Sequence, residues 1–276
     1  MIEISQLDFA YKSKPLFNSL NLSLQPGRIY GLLGKNGVGK TTLLKLIAAL
    51  LYPQNGQITI SGMPSHKRYP QYLAMFYLLP EEFDLPQITP ETYLKIYAPF
   101  YPHFDRTMFY RIASDFEIPM DHKLSAMSYG QKKKFLIAFA MATNTPILIM
   151  DEPTNGLDIP SKRLFRRIVA ENLDQDRLLV ISTHQVKDIE GMIDDIIILE
   201  NGKIIFHQSL GDIESKLAVI RTDNEPQHAL YYEPVLGGYL AIVPAQPDIT
   251  SLKIDIELLF NAIISDKEKF QQIFKN

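Results

Sequence analysis

Apolar and polar positions alternate over Ile2 to Phe9 and again over Leu16 to Leu24, with turn formers at Ser13 and Pro15 between them and at Pro26-Gly27 after them. A period of two puts alternate side chains on one face, so both stretches read as short strands in an antiparallel arrangement. The run Arg28 to Leu33 lacks that alternation and reads as a buried strand. After eight residues rich in glycine, Thr42 to Leu51 takes up helical spacing and stops before Pro53, and short strands follow at Gln57 to Ser61 and Met75 to Leu79.

Between Leu85 and Thr143 the pattern becomes helical, with segments at Thr89 to Ala98, Asp105 to Phe116 and Tyr129 to Ala142, broken by Pro86, Pro90, Pro99, Pro102 and Pro119. Strands and helices then alternate: Ile147 to Met150, Ile159 to Asn172, Leu178 to Ser182 and a helix over Gln185 to Met192. Ile196 to Glu200 and Lys203 to Phe206 flank Asn201-Gly202, a two-residue hairpin signal. The fold class is α/β: a mainly parallel sheet covered on both faces, an N-terminal antiparallel β part, and a helical subdomain inserted over about residues 85–143. A helix near Leu210 to Lys216, strand-like pieces at Ala218 to Arg221, Ala229 to Tyr232 and Tyr239 to Val243, and a helix over Asp255 to Ile264 form a small α+β appendage. The chain thus divides into residues 1–208 and 209–276.

Composition narrows the chemistry. None of the 276 residues is cysteine, which excludes disulfides, thiolate metal sites and cysteine nucleophiles. With 28 Lys and Arg against 31 Asp and Glu, the net charge of -3 supplies no field for capturing nucleic acid, and none is expected as a partner. The longest apolar stretch, Phe135 to Ala142, is far short of the roughly 20 residues a membrane-crossing helix needs. Met1 to Ser5 lacks a basic leader and reads as a mature cytoplasmic terminus.

The glycine-rich stretch Gly34-Lys35-Asn36-Gly37-Val38-Gly39-Lys40-Thr41 fits G-x-x-x-x-G-K-[ST] between a strand and a helix. Its backbone N–H groups can curl around phosphate oxygens at a helix N-terminus. Lys40 would reach the β and γ phosphates of a nucleoside triphosphate, and Thr41 offers a hydroxyl to Mg²⁺. Asp151, delivered by Ile147-Leu148-Ile149-Met150 to the carboxyl end of a buried strand, can hold the same ion. Glu152 follows it and in an extended chain points the other way, toward water, as a general base.

At Met127-Ser128-Tyr129-Gly130-Gln131, 23 residues before Asp151 counted from Ser128, the chain resembles the L-S-G-G-Q signature of ABC ATPases, and the resemblance extends over about residues 1–208. It implies an ATP hydrolase whose Ser128, Gly130 and Gln131 contact the γ phosphate held by a second, head-to-tail ATPase subunit, identical or homologous. It implies that Tyr11 stacks on adenine and that Gly34, Asn36, Gly37, Gly39, Lys40, Thr41 and Thr42 hold ATP. Asn155-Gly156-Leu157-Asp158 resembles the loop crossing the dimer interface, with Asp158 the cross-contact, and His184 resembles the histidine that touches the γ phosphate and orients water. Metal contacts fall to Thr41, Asp151 and Glu81, the last standing where the family usually has Gln. Its carboxylate can ligate Mg²⁺ but cannot donate an amide hydrogen bond.

In the family such a subunit drives a separate transmembrane permease, which places this chain on the inner face of the cell membrane. The Glu81 variant and the appendage favour export. A short permease helix would enter a groove near Glu81. Most of the aromatics Tyr93, Tyr97, Phe100, Tyr101, Phe104, Phe109 and Tyr110 are read as the core of the helical subdomain, and Lys132-Lys133-Lys134 as a solvated helix face.

Overall fold

The computed structural model describes residues 1–173 and 176–274. Strands β1 (Ile2–Tyr11) and β2 (Lys14–Leu24) pair antiparallel, Ile2 opposite Leu24 and Tyr11 opposite Lys14. Strand β3 (Ile29–Leu33) is buried throughout and passes through the glycine loop into α1 (Lys40–Ile47). Strand β4 (Asn55–Ile60) returns beside β1, and β5 (Met63–Pro64) completes a four-stranded sheet of order β2-β1-β4-β5. A single turn, α2 (Pro70–Leu73), then leads to β6 (Phe76–Leu79).

The helical part consists of α3 (Pro90–Tyr97), α4 (Arg106–Asp115) and α5 (Tyr129–Ala142). The side chains of Thr89, Asp105 and Ser128 cap them, accepting from the N–H groups of Thr92, Met108 and Gln131. Every side chain of α5 from Phe135 to Ala142 is buried, as expected of a helix that is apolar on all sides. Around Phe139 lie the rings of Tyr93, Tyr101 and Phe104, at centroid distances of 5.2, 5.9 and 5.1 Å. Phe109 is fully buried nearby, whereas Tyr97, Phe100 and Tyr110 are exposed.

The α/β alternation resumes with β7 (Ile147–Asp151), α6 (Ile159–Asn172), β8 (Leu178–Thr183), β9 (Asp195–Glu200) and β10 (Lys203–Ser209). The main sheet has the order β10-β9-β3-β8-β7-β6, parallel from β9 to β6, with β10 antiparallel at the edge. Burial on both faces accounts for the near-continuous apolar runs of β3, β7 and β8. The hairpin between β9 and β10 turns on Asn201 and Gly202, at φ 48° and 72°.

One expected helix does not form. Gln185 to Met192 forms only a single turn, at Val186–Asp188. The Asp188 carbonyl accepts from Arg166 at 3.3 Å and Gly191 takes φ 81°, so the backbone there does not propagate a helix; the Asp188 carboxylate pairs with Lys162 at 2.6 Å.

The chain continues through α7 (Leu210–Lys216) to β11 (Leu217–Thr222), β12 (Tyr231–Val235) and β13 (Gly238–Pro244), a separate antiparallel sheet of order β11-β13-β12. Helices α8 (Ile256–Ser265) and α9 (Lys267–Phe274) follow. The sequence reading missed α9, whose signal is Phe270, Ile273 and Phe274 at helical spacing; Phe270 is fully buried and Phe274 meets Phe206 at 5.2 Å. Helix α8 lies beside the Val186–Asp188 turn, where Lys187 pairs with Glu257 at 2.9 Å.

Candidate active site

The glycine loop leaves the carboxyl end of β3, which has β9 on one side and β8 on the other, the crevice where parallel α/β sheets take ligands. Gly39, the residue before α1, has φ 109°, and a Cβ there would meet the Phe17 ring at 2.9 Å. Only glycine satisfies both the backbone angle and the contact. Lys40 Nζ folds over the loop, donating to the carbonyls of Gly34 at 2.7 Å and Lys35 at 3.3 Å, and lies 4.0 Å from Glu152 Oε1. Burial pushes its ammonium pKa down, and the carboxylates of Glu152, Asp151 and Glu81 oppose that shift.

Below the loop, Thr41 Oγ1 donates to Asp151 Oδ2 at 2.6 Å, and Ser182 Oγ bonds the other Asp151 oxygen. Asp151 is buried at the end of β7. Glu152 is not in the extended conformation expected: its φ is 46°, in the left-handed region. The reason lies in its partners. Its backbone N–H donates to the Ser182 carbonyl at 3.0 Å, and its carboxylate turns toward the end of β8. There Thr183 Oγ1 donates to Oε2 at 3.1 Å, the His184 N–H donates to Oε1 at 3.0 Å, and His184 Nδ1 lies 2.8 Å from the same oxygen. With the carboxylate ionised, Nδ1 carries the imidazole proton and Nε2 is left as an acceptor.

A cleft of about 650 Å³ opens above these groups, lined by Tyr11, Asn36, Gly37, Gly39, Lys40, Thr41, Thr42, Glu81, Glu152 and His184. Half of the Tyr11 surface is exposed, and its hydroxyl lies 3.2 Å from Thr42 Oγ1. Asp151 lies beneath the cleft, and Gly34 supplies the carbonyl that holds Lys40. Ser128, Gly130, Gln131 and Asp158 do not line it. Ser128 and Gln131 bond each other reciprocally at the start of α5, at 3.2 and 3.0 Å. Ser128 is exposed, and its hydroxyl proton remains available to an anion. Asp158 caps α6, accepting from the Ser161 N–H at 2.8 Å, and the Ser161 hydroxyl and N–H together lower its carboxyl pKa.

The Thr41 hydroxyl and the carboxylates of Asp151 and Glu81 form an oxygen-only donor set that fits Mg²⁺. Among the described residues no group of three or more His, Asp or Glu gathers into a metal cage.

Four contributors escaped the sequence reading. Thr183 and Ser182 hold the two carboxylates, and Asn155 Nδ2 donates to Glu81 Oε1 at 3.1 Å. Ser182 and Thr183 stand just before His184 and Asn155 opens the loop that ends at Asp158, but nothing in residue type distinguished them there. A fourth is Lys133, whose reading as part of a solvated face is overturned. It is fully buried, donating to the carbonyls of Pro80 and Glu81 at 3.3 and 3.4 Å. Burial pushes its pKa down to about 8, against the pull of Asp151, Glu81 and Glu152. Tyr129 is half exposed but does not simply face outward, because its hydroxyl donates to the Glu81 carbonyl at 3.0 Å.

A family model described as ABC transporter matches residues 17–155, just over half of the chain. The ABC transporter ATP-binding protein YtrB of Bacillus subtilis is 28% identical over 222 residues, covering 80% of this chain and 76% of YtrB. The Nod factor export ATP-binding protein I of Burkholderia thailandensis is 28% identical over 210 residues, covering 74% of this chain and 69% of its own. A solved structure of an ATP binding subunit of an ABC transporter superposes with a TM-score of 0.70 at 26% identity, covering 78% of this chain and 92% of that one.

Proposed function

Because this chain belongs to the ABC transporter family, we propose that its ATP site is completed by a second ATPase subunit, head to tail, and that turnover drives export through a separate transmembrane permease. The chain is an ABC transporter ATP-binding subunit and an ATP hydrolase. The finer reading rests on its residues.

The observation that carries it is the grip on Glu152, whose two oxygens are held by Thr183 and His184 beside Lys40. A carboxylate so placed takes a proton from the attacking water as general base. His184 Nε2 accepts a second hydrogen from that water and fixes its direction. Lys40 exchanges its loop carbonyls for phosphate oxygens, the N–H groups of residues 36–42 cradle the phosphates, and Tyr11 covers the adenine. Bound with ATP, Mg²⁺ supplies charge neutralisation across the phosphates. Thr41, Asp151 and Glu81 would hold it.

Ser128, Gly130 and Gln131 stand outside the chain's own cleft, at the exposed N-terminus of a 14-residue helix. Such a surface suits the γ phosphate of a second subunit, with Asp158 and Ile159 on the facing loop. Ile159 is 71% exposed. Beside Glu81 runs a second groove of about 350 Å³, lined in part by Leu50, Leu73, Phe76, Tyr77 and Tyr101, suited to an apolar permease helix. Among the described residues no helix is long and apolar enough to cross a membrane. In this reading the chain meets the inner face of the membrane through that permease. The export direction is supported by the similarity to an export ATP-binding protein. Residues 209–276 serve as an accessory segment beside the ATPase domain of residues 1–208, whose helical subdomain spans about 85–143.

The test is Glu152→Gln. Turnover falls about 10²-fold or more while ATP binding persists, and ATP shifts the variant from monomer to dimer in gel filtration. Near-normal turnover removes Glu152 from the mechanism, and a variant that stays monomeric with ATP sinks the shared site. Co-purification from membranes identifies the permease.

A further inference from the structure

Tyr129 and Lys133 lie four residues apart on α5, so their side chains leave the same face. Both reach the segment that follows β6. The Tyr129 hydroxyl donates to the Glu81 carbonyl at 3.0 Å, and Lys133 Nζ donates to the carbonyls of Pro80 and Glu81 at 3.3 and 3.4 Å. Phe83 lies under both: its ring stacks on Tyr129 at 5.3 Å and 19°, and the Lys133 ammonium sits 5.4 Å from its centre. On its other side the Tyr129 ring covers Gly156, where a Cβ would come within 2.6 Å of Tyr129 Cδ1.

Residues 80–89 contain no helix or strand, so no ladder holds the carbonyls of Pro80 and Glu81. A fully buried ammonium needs acceptors, and these two carbonyls supply them. The backbone of Glu81 is thereby tied to α5 while its side chain reaches the cleft, bonded to Asn155. The tied end of α5 is the end that carries Ser128 and Gly130. A glycine at position 129, as in the usual signature, would provide neither the hydroxyl nor the ring.

We propose that Tyr129 and Lys133 are positioning residues that clamp the Glu81 loop to α5, so that the cleft carboxylate and the surface around Ser128 move as one unit. The inference rests on the reading of Glu81 and Ser128 given above. A shift of α5 on meeting a second subunit then relocates Glu81 in the chain's own cleft, and the reverse.

Tyr129→Phe and Lys133→Met, each in the full chain, test the clamp by amide hydrogen exchange and steady-state kinetics. Removing one hydroxyl should speed exchange across residues 80–85 by about three- to tenfold, the effect of one net hydrogen bond, and lower the melting temperature by no more than a few degrees. It should lower kcat by a similar factor with KM for ATP within about twofold, a split that general loosening of the fold would not produce. Lys133→Met should exceed both effects, and if it fails to fold, Tyr129→Phe still decides. Wild-type exchange in folded Tyr129→Phe overturns the clamp. Faster exchange with wild-type kcat overturns its positioning role. Glu81→Ala separates this from the underlying reading: a wild-type Mg²⁺ requirement in that variant removes Glu81 from the metal, while the exchange rates still decide the clamp, which runs through the backbone carbonyl.

Discussion

Glu152 and His184 meet twice at one oxygen: Glu152 Oε1 lies 2.8 Å from the imidazole Nδ1 and accepts the backbone N–H of the same histidine at 3.0 Å. The backbone contact survives any side-chain change. His184→Ala should therefore leave Glu152 in place and remove only the imidazole, lowering kcat about 10²-fold with KM for ATP within about threefold. Phosphate release at saturating ATP measures this. A kcat within twofold of wild type would take His184 out of the water-orienting role.

Thr41 and Asp151 share a bond of 2.6 Å across the floor of the cleft. Thr41→Ala removes one oxygen from the proposed metal side and one partner from Asp151. The Mg²⁺ concentration for half-maximal turnover should rise about tenfold or more, while binding of ATP in EDTA changes little. Titration calorimetry with and without Mg²⁺ separates the two. Equal losses in both would mean that Thr41 contacts the nucleotide alone.

Much of this was legible from pattern. The central strands show as apolar runs because both faces of β3, β7 and β8 are buried, and α5 shows from Tyr129 to Ala142 because its cap and its apolar stretch agree. The cleft residues from Gly34 to Thr42 were legible because a phosphate loop is local in sequence. Contacts made across the fold were not. Lys133 reads as one of three adjacent lysines until the loop after β6 arrives to bury it, and Glu152 reads as an ordinary strand end until β8 pulls it into the left-handed region. The Val186–Asp188 turn stops short of a helix where Arg166, from α6, takes the Asp188 carbonyl and Gly191 enters the left-handed region.

Phe139 is the ring on which the helical part converges, 1% exposed and in contact with Tyr77, Tyr93, Tyr101 and Phe104. Phe139→Ala leaves a cavity among aromatic rings that cannot all close in. The cost should be about 3–5 kcal/mol, read as a lower urea midpoint with unchanged slope. A loss below about 1 kcal/mol would show that the rings repack.

His207 provides a stability test outside the catalytic groups. It lies on β10 beside the Tyr30 ring, at 5.9 Å, and burial lowers its imidazole pKa from the ordinary 6.5. The Asp195 carboxylate opposes that shift and the Arg28 guanidinium adds to it. The unfolded chain therefore takes up this proton at a higher pH than the folded one. Above about 6.5 the histidine is neutral in both states and costs nothing; as pH falls through 6.5 the unfolded state gains the proton first and stability drops, until the folded form is protonated as well. His207→Gln removes the titration. Its urea midpoint should fall less than that of wild type between about pH 7 and pH 5, whatever constant offset the substitution brings at pH 8. Parallel curves for the two proteins would mean that His207 titrates alike in both states.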